Sequence, residues 1–299
     1  MSIRIGTNPI AWTNDDMPEL GGKTPLETCL KEAAEAGFVG IEKGNKFPNE
    51  PAALKAVLGK YGLAFVSGWY SAKLRTRSVD EELKAMEPHL SLLAAMGSPV
   101  MVFAEVSGST QGDRRIPVAD RPTMSEAEWK DYPAKLTAVA EHMKKRGVHL
   151  AYHHHMGTVI EKSHEVDRLM NSTPEVVGLL YDTGHLTFAG EDAAAVAERW
   201  AKRIVHVHAK DVRREVMEKA LAERWSFLDA VVSGVFTVPG DGSIDFKRAL
   251  TPVAKAGYAG WWIVEAEQDP AKAHPLTYAR KGYAHLKATA AALNLQLAA

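Results

Sequence analysis

Eight short runs of β-branched and apolar residues, each followed by a longer stretch rich in Ala, Leu, Glu and Lys at helical spacing, succeed one another along 299 residues. No other feature constrains the fold as strongly. Strands separated by helices pair in parallel through right-handed crossovers, and eight such units close a barrel. The runs predict strands over Arg4–Thr7, Val39–Lys43, Ala64–Gly68, Val100–Glu105, His149–His153, Gly178–Asp182, Ile204–His208 and Trp262–Glu265. Helical spacing covers 25–36, 51–61, 79–96, 126–146, 161–170, 193–202, 246–256 and 271–292. Ala36-Gly37, Arg146-Gly147 and Ala256-Gly257 each put glycine just past a last helical turn, where a left-handed residue ends the helix and leads into a strand. The reading is an α/β chain, a (β/α)8 TIM barrel, with 1–299 as one domain.

Two connections exceed plain βα loops: about 106–124, rich in Gly, Ser, Asp and Arg, and about 209–242, with an extra helix near 215–224. Both follow strand C-termini, where a barrel carries its active site, so they are expected to wall or cover that site. Charge is balanced, 36 basic against 37 acidic side chains. That gives no broad positive field, so neither nucleic acid nor a membrane surface is expected as a partner. A single cysteine, Cys29, excludes an intrachain disulfide or a cysteine-rich zinc site and reads as a core residue. No signal-peptide pattern opens the chain and no apolar stretch reaches membrane-span length, which points to a cytoplasmic protein. A barrel face can dimerise without leaving a sequence mark, so a homo-oligomer stays open.

Six of the 12 histidines, at positions 153, 154, 155, 185, 206 and 208, sit at or just beyond predicted strand ends. LAYHHHMGT closes the fifth strand, and alternation puts His153 and His155 on one face with His154 on the other. LLYDTGH presents Asp182 at the sixth strand's tip, with His185 beyond a glycine read as permitting a tight turn. HVHAKD puts His206 and His208 on one face, His208 nearer the rim. WWIVEAEQD brings Glu265 out of a strongly apolar strand, where an unpaired carboxylate is costly to bury. His153, Asp182, His208 and Glu265 thus form a mixed imidazole and carboxylate set suited to Mn, Co, Fe or Zn, whereas imidazole argues against Mg or Ca. Mn2+ or Co2+ is the cofactor expected first.

DTGH, HVHAKD and VEAEQD resemble the strand ends of the xylose-isomerase-like barrel superfamily, which includes sugar epimerases, isomerases and dehydratases. Within it, GTNPIAWTNDD, FVGIEKGNKFP, GWYSAKL, YHHHMGT and YDTGHLTFAG are similar to the inosose dehydratases. The resemblance implies a metal-dependent hydro-lyase that removes water from 2-keto-myo-inositol, a small polyol ketone, in myo-inositol catabolism. Glutathione stays open as an accessory. The alternative is a sugar-phosphate or ketose isomerase or epimerase of the same superfamily. One position departs from the pattern. Most of the superfamily has a ligand glutamate, often in Glu-Asn-His-x-Gly, where this chain has His153 in HHHMG, so His155 stays an alternative first ligand.

His185 is the candidate base, because a neutral imidazole suits proton abstraction near pH 7 and related dehydratases use the histidine of an Asp-x-x-His run. The competing role for His185 is to orient a ligand carboxylate. His155 and Glu42 are candidates for the acid. Trp69, Lys73, Lys210 and Arg213 are candidates for binding substrate hydroxyls or covering the ring, and each could equally be a solvated rim residue.

Overall fold

A computed structural model describes residues 2–298. Strands β1 (Ser2–Thr7), β2 (Gly40–Lys43), β3 (Ala64–Ala72), β4 (Val100–Glu105), β5 (His149–His153), β6 (Val177–Asp182), β7 (Ile204–Ala209) and β8 (Trp261–Val264) pair in parallel in sequence order. β8 returns to β1 through Arg4↔Trp261 to Thr7↔Val264, which closes the barrel. The strand reading holds with local shifts. β3 runs on to Ala72, and Glu265 lies just past the end of β8.

Helices cover the outside because their apolar faces repeat at i, i+3 and i+4. In Phe246–Lys255, for example, Phe246, Ala249, Leu250 and Val253 turn inward. Gly37, Gly147 and Gly257 all have positive φ (105°, 78° and 88°), as the helix-ending role requires. The helix predicted from 161 begins at Ser163, and the one predicted from 271 begins at Pro275.

Parity along each strand positions the site. Met101, Phe103, Leu150, Tyr152, Leu179, Tyr181, Val207, Trp262 and Val264 belong to the layer between strands and helices. Val100, Val102, Ala151 and Leu180 pack together inside the barrel, as do Val66, Trp261 and Ile263. Two residues on from the inward Ala151, Leu180 and Ile263 come His153, Asp182 and Glu265, while His206 and His208 take the same parity between Val205 and Val207. The barrel floor is closed by Trp261, and Gly40 is required there, since a Cβ on it would lie 2.5 Å from the indole.

The two long connections meet over the C-terminal rim. Pro117 forms an antiparallel bridge with Ser226, Val118 N donates to Trp225 O at 2.9 Å, and Arg224 pairs with Asp120 at 2.7 Å. The second connection holds helices Arg214–Ala222 and Phe227–Val232, and Asp211–Val212 pairs antiparallel with Phe236–Thr237. Beneath them lies a second apolar cluster that includes Met17, Val118, Met156, Phe188, Phe227 and Phe236. These segments are therefore packed walls. Among the described residues no helix is long and apolar enough to cross a membrane.

Candidate metal centre and its cavity

Asp182 and His208 stand opposite one another on β6 and β7, and Ile263 opposite His208 brings Glu265 to the neighbouring position beyond β8. With His153 from β5, these four offer ligand atoms within 4.8 Å of one another. Asp182 Oδ2 lies 3.7 Å from His153 Nε2 and 3.6 Å from His208 Nδ1, and Glu265 Oε2 approaches His208 Nδ1 more closely still. Asp182 Oδ2, His208 Nδ1 and Glu265 Oε2 are all buried without a hydrogen-bond partner. Orphaned buried polar atoms are costly, and three converging on one point with an imidazole nitrogen make a donor set that fits a divalent transition metal.

The surroundings orient each ligand. His153 Nδ1 lies 2.6 Å from His154 O. A carbonyl only accepts, so the proton is on Nδ1 and Nε2 presents its lone pair. Asp182 Oδ1 accepts from His185 N at 2.8 Å, capping helix Thr183–Phe188 and leaving Oδ2 for the cluster. Glu42 holds His208 from behind. Its Oε1 accepts from His206 Nε2 at 2.8 Å, His208 Nε2 at 3.2 Å and Ser67 Oγ at 2.5 Å, while Oε2 accepts from Asn8 Nδ2 at 2.8 Å. Burial would raise the Glu42 carboxyl, but His208 and His206 hold it well below the usual carboxylate range. Burial opposes protonation of His208 too, yet Glu265, Glu42 and Asp182 together hold its imidazole well above the ordinary histidine value. A cation is favoured at that point whether it is a proton or a metal.

A cavity of about 280 Å3 opens beside this cluster, lined by His208, Glu265, Glu267, His155, Trp69 and the β1 and β2 loop residues Asp16 and Lys43 among others. His155 Nδ1 donates to Met156 O at 2.8 Å, which leaves Nε2 as a basic nitrogen. Burial, with Lys210 adding, lowers its pKa to about 3, so the ring is neutral. Glu267 is pushed up to about 7 by burial, against the pull of Lys210 and with repulsion from Glu265.

The protein comparisons agree with this geometry. Residues 30–289 match the family model described as xylose isomerase-like TIM barrel. The chain belongs to that family. A rhizopine catabolism protein, MocC, of Rhizobium meliloti is 53% identical over 99% of this chain and 91% of its own length. An inosose dehydratase of Geobacillus thermodenitrificans is 47% identical over 96% and 97%. Among solved structures, the IolI protein with a binding zinc atom superposes with a TM-score of 0.68 at 14% identity, covering 97% of this chain and 98% of that one.

For a chain of this family, several residues stand elsewhere than the sequence suggested. His153, not His155, joins Asp182, His208 and Glu265, and His155 falls in a neighbouring group with His185 and Glu267. His185 is not among the residues that line the cavity. Met156 N–H faces its Nδ1 at 3.2 Å and Lys210 Nζ faces its Nε2 at 3.0 Å. A neutral ring has one acceptor nitrogen, and the shorter, charge-assisted contact prevails. Neither nitrogen is open to a substrate. Glu42 touches the cavity but is held as an ionised acceptor, which is the wrong form for an acid. Lys210 is fully buried among Asp182, Glu265 and Glu267, 2.5 Å from Glu267 Oε1, and so is not a rim residue. Gly184 makes room for it: a Cβ there would sit 2.6 Å from Lys210 Cγ, so that glycine serves close packing.

Arg213 turns into the second connection, donating to Gly234 O and Asp241 Oδ2, each at 2.7 Å, and Lys73 is exposed and outside the cavity. Trp69 does line it, edge-on to His153 and His155 at 5.5 Å between ring centroids. The sequence reading missed Glu267, although its parity with Glu265 in VEAEQ was the available signal. It also missed Asp16 and Gln111, cavity residues on loops that carry no periodicity.

Proposed function

We propose that this chain is a metal-dependent inosose dehydratase, a hydro-lyase acting on 2-keto-myo-inositol within one barrel domain in the cytoplasm. Full-length similarity to proteins named inosose dehydratase supports the substrate. The observation that carries the chemistry is a set of three orphaned ligand atoms beside a cavity faced by one uncommitted imidazole, His155. His153, Asp182, His208 and Glu265 would hold the ion, with Mn2+ or Co2+ suiting the mixed nitrogen and oxygen donors. A divalent ion there supplies Lewis acidity that makes the hydrogen beside a ketone easier to remove.

His155 Nε2 takes that α-hydrogen as a proton, and the freed electron pair expels hydroxide from the β-carbon. The hydroxide takes up a proton and leaves as water, and the resulting enol tautomerises to a trihydroxycyclohexanedione. Glu265 and Glu267 lie near enough to stabilise the His155 imidazolium once it forms. Trp69 walls the ring side of the cavity and excludes bulk water.

The test is to incubate purified, metal-loaded protein with 2-keto-myo-inositol and weigh the product. Loss of one water is expected. A product of unchanged mass would identify a ketose isomerase or epimerase and overturn the dehydratase reading.

A further inference from the structure

Beside the ligand set lies a second group built like a metal site: His155, His185 and Glu267, buried, with ligand atoms within 4.8 Å of one another. Paired metal ions in enzymes stand about 3.5–4 Å apart and are commonly clamped from both sides by shared ligands. Glu265 offers that kind of bridge here. Its Oε2 points to the first set, while Oε1 lies 3.3 Å from Lys210 Nζ. The same Nζ lies 3.0 Å from His185 Nε2, 2.5 Å from Glu267 Oε1 and 3.9 Å from Asp182 Oδ2. Lys210 reaches this point along the bare backbone of Gly184 and is fully buried there.

We infer that the Lys210 ammonium takes the place of a second metal ion, so that this chain binds one divalent cation and would bind two if the ammonium were removed. The inference rests on the ligand set of the proposed function. A single ammonium supplies the positive charge that Glu267 and the far oxygen of Glu265 need, and an ion carrying two charges cannot share its position. The lysine thereby fixes the metal count without a change in the ligands.

The experiment is a Co2+ titration of the metal-free full-length protein, followed by absorption and by metal analysis after gel filtration. The wild-type chain and Lys210→Arg are expected to take up one equivalent, and Lys210→Ala two, with the first absorption band unchanged and a second band added. Should Lys210→Ala not fold without metal, Co2+ is expected to restore the fold, because it replaces the missing charge. Two equivalents in the wild type overturn the inference. So does a single equivalent in folded Lys210→Ala, or failure of Co2+ to restore an unfolded one. No uptake by the wild type would instead sink the ligand set itself, which separates the two failures.

Discussion

Replacing Glu42 separates an orienting role from a proton-transfer role. The carboxylate accepts from four buried or half-buried donors, on His206, His208, Ser67 and Asn8. Glu42→Ala would strand all four at about 1–3 kcal/mol each and endanger folding, so it decides little. Glu42→Gln is the informative change. Its oxygen can stay where three donors crowd Oε1, and its amide nitrogen then faces Asn8, whose own Oδ1 is held by Ile10 N at 2.9 Å. What disappears is the negative charge that orients His208, keeps its proton on Nε2 and strengthens Nδ1 as a ligand. Loss of such a partner typically weakens metal binding about 10–100-fold, or about 1.4–2.8 kcal/mol. Competition with a chromophoric chelator for Co2+ at neutral pH measures this directly, with the apo-protein melting temperature as the fold control. Turnover should recover as metal is raised to saturation. Metal affinity within twofold of wild type in a folded Glu42→Gln protein would refute the orienting role, and turnover lost even at saturating metal would restore Glu42 as a proton donor.

Other outcomes follow from the same geometry. His155→Gln should keep one metal equivalent while kcat falls about 10^2–10^4-fold, the usual reach of a general base, and full turnover in that variant would remove His155 from catalysis. Chelation should destabilise the protein by about 4 kcal/mol relative to a sample held at a thousandfold excess over Kd, a drop in melting temperature on the order of 10 °C readable by circular dichroism. An unchanged melt would mean that no ion is bound in the fold. Glu161, buried beside Glu165 with only Arg121 between them, is pushed up to about 7 by burial. A carboxyl with a raised pKa stabilises the fold while protonated, so stability should fall as pH rises from about 4.5 to about 7, by at most about 3 kcal/mol. Glu161→Gln should flatten that fall, and urea midpoints of the two proteins that shift in parallel would refute it.

The barrel was legible because its signals are local and repeated. Parallel strands buried on both faces read as apolar runs, and glycines such as Gly37 mark where helices stop. What escaped was short or unpatterned. Helices Thr183–Phe188 and Phe227–Val232, six residues each, are too brief to show a helical period. The first is further disguised because its cap, Asp182, had already been read as a ligand. β3 was ended at Gly68 because glycine usually breaks a strand, whereas here it admits His89, which a Cβ would meet at 2.7 Å.

The site divides along the same line. Strand parity brought His153, Asp182, His208 and Glu265 to one face, since a residue two steps from an inward Ala151, Leu180 or Ile263 must also point inward. The same rule reaches Lys210 from His208 and Glu267 from Glu265, so both were legible in principle. Treating the loop as beginning at Lys210 broke the count one step early. His185 is a different case, because a helix and not a strand carries it. Its direction depends on how Thr183–Phe188 is rotated, and that rotation is set by Asp182 Oδ1 capping His185 N and by Lys210 lying against Gly184. Both are contacts between elements, which no local period encodes. The imidazole that looked poised over the metal is turned to the ammonium, and the one read as a secondary candidate, His155, faces the cavity.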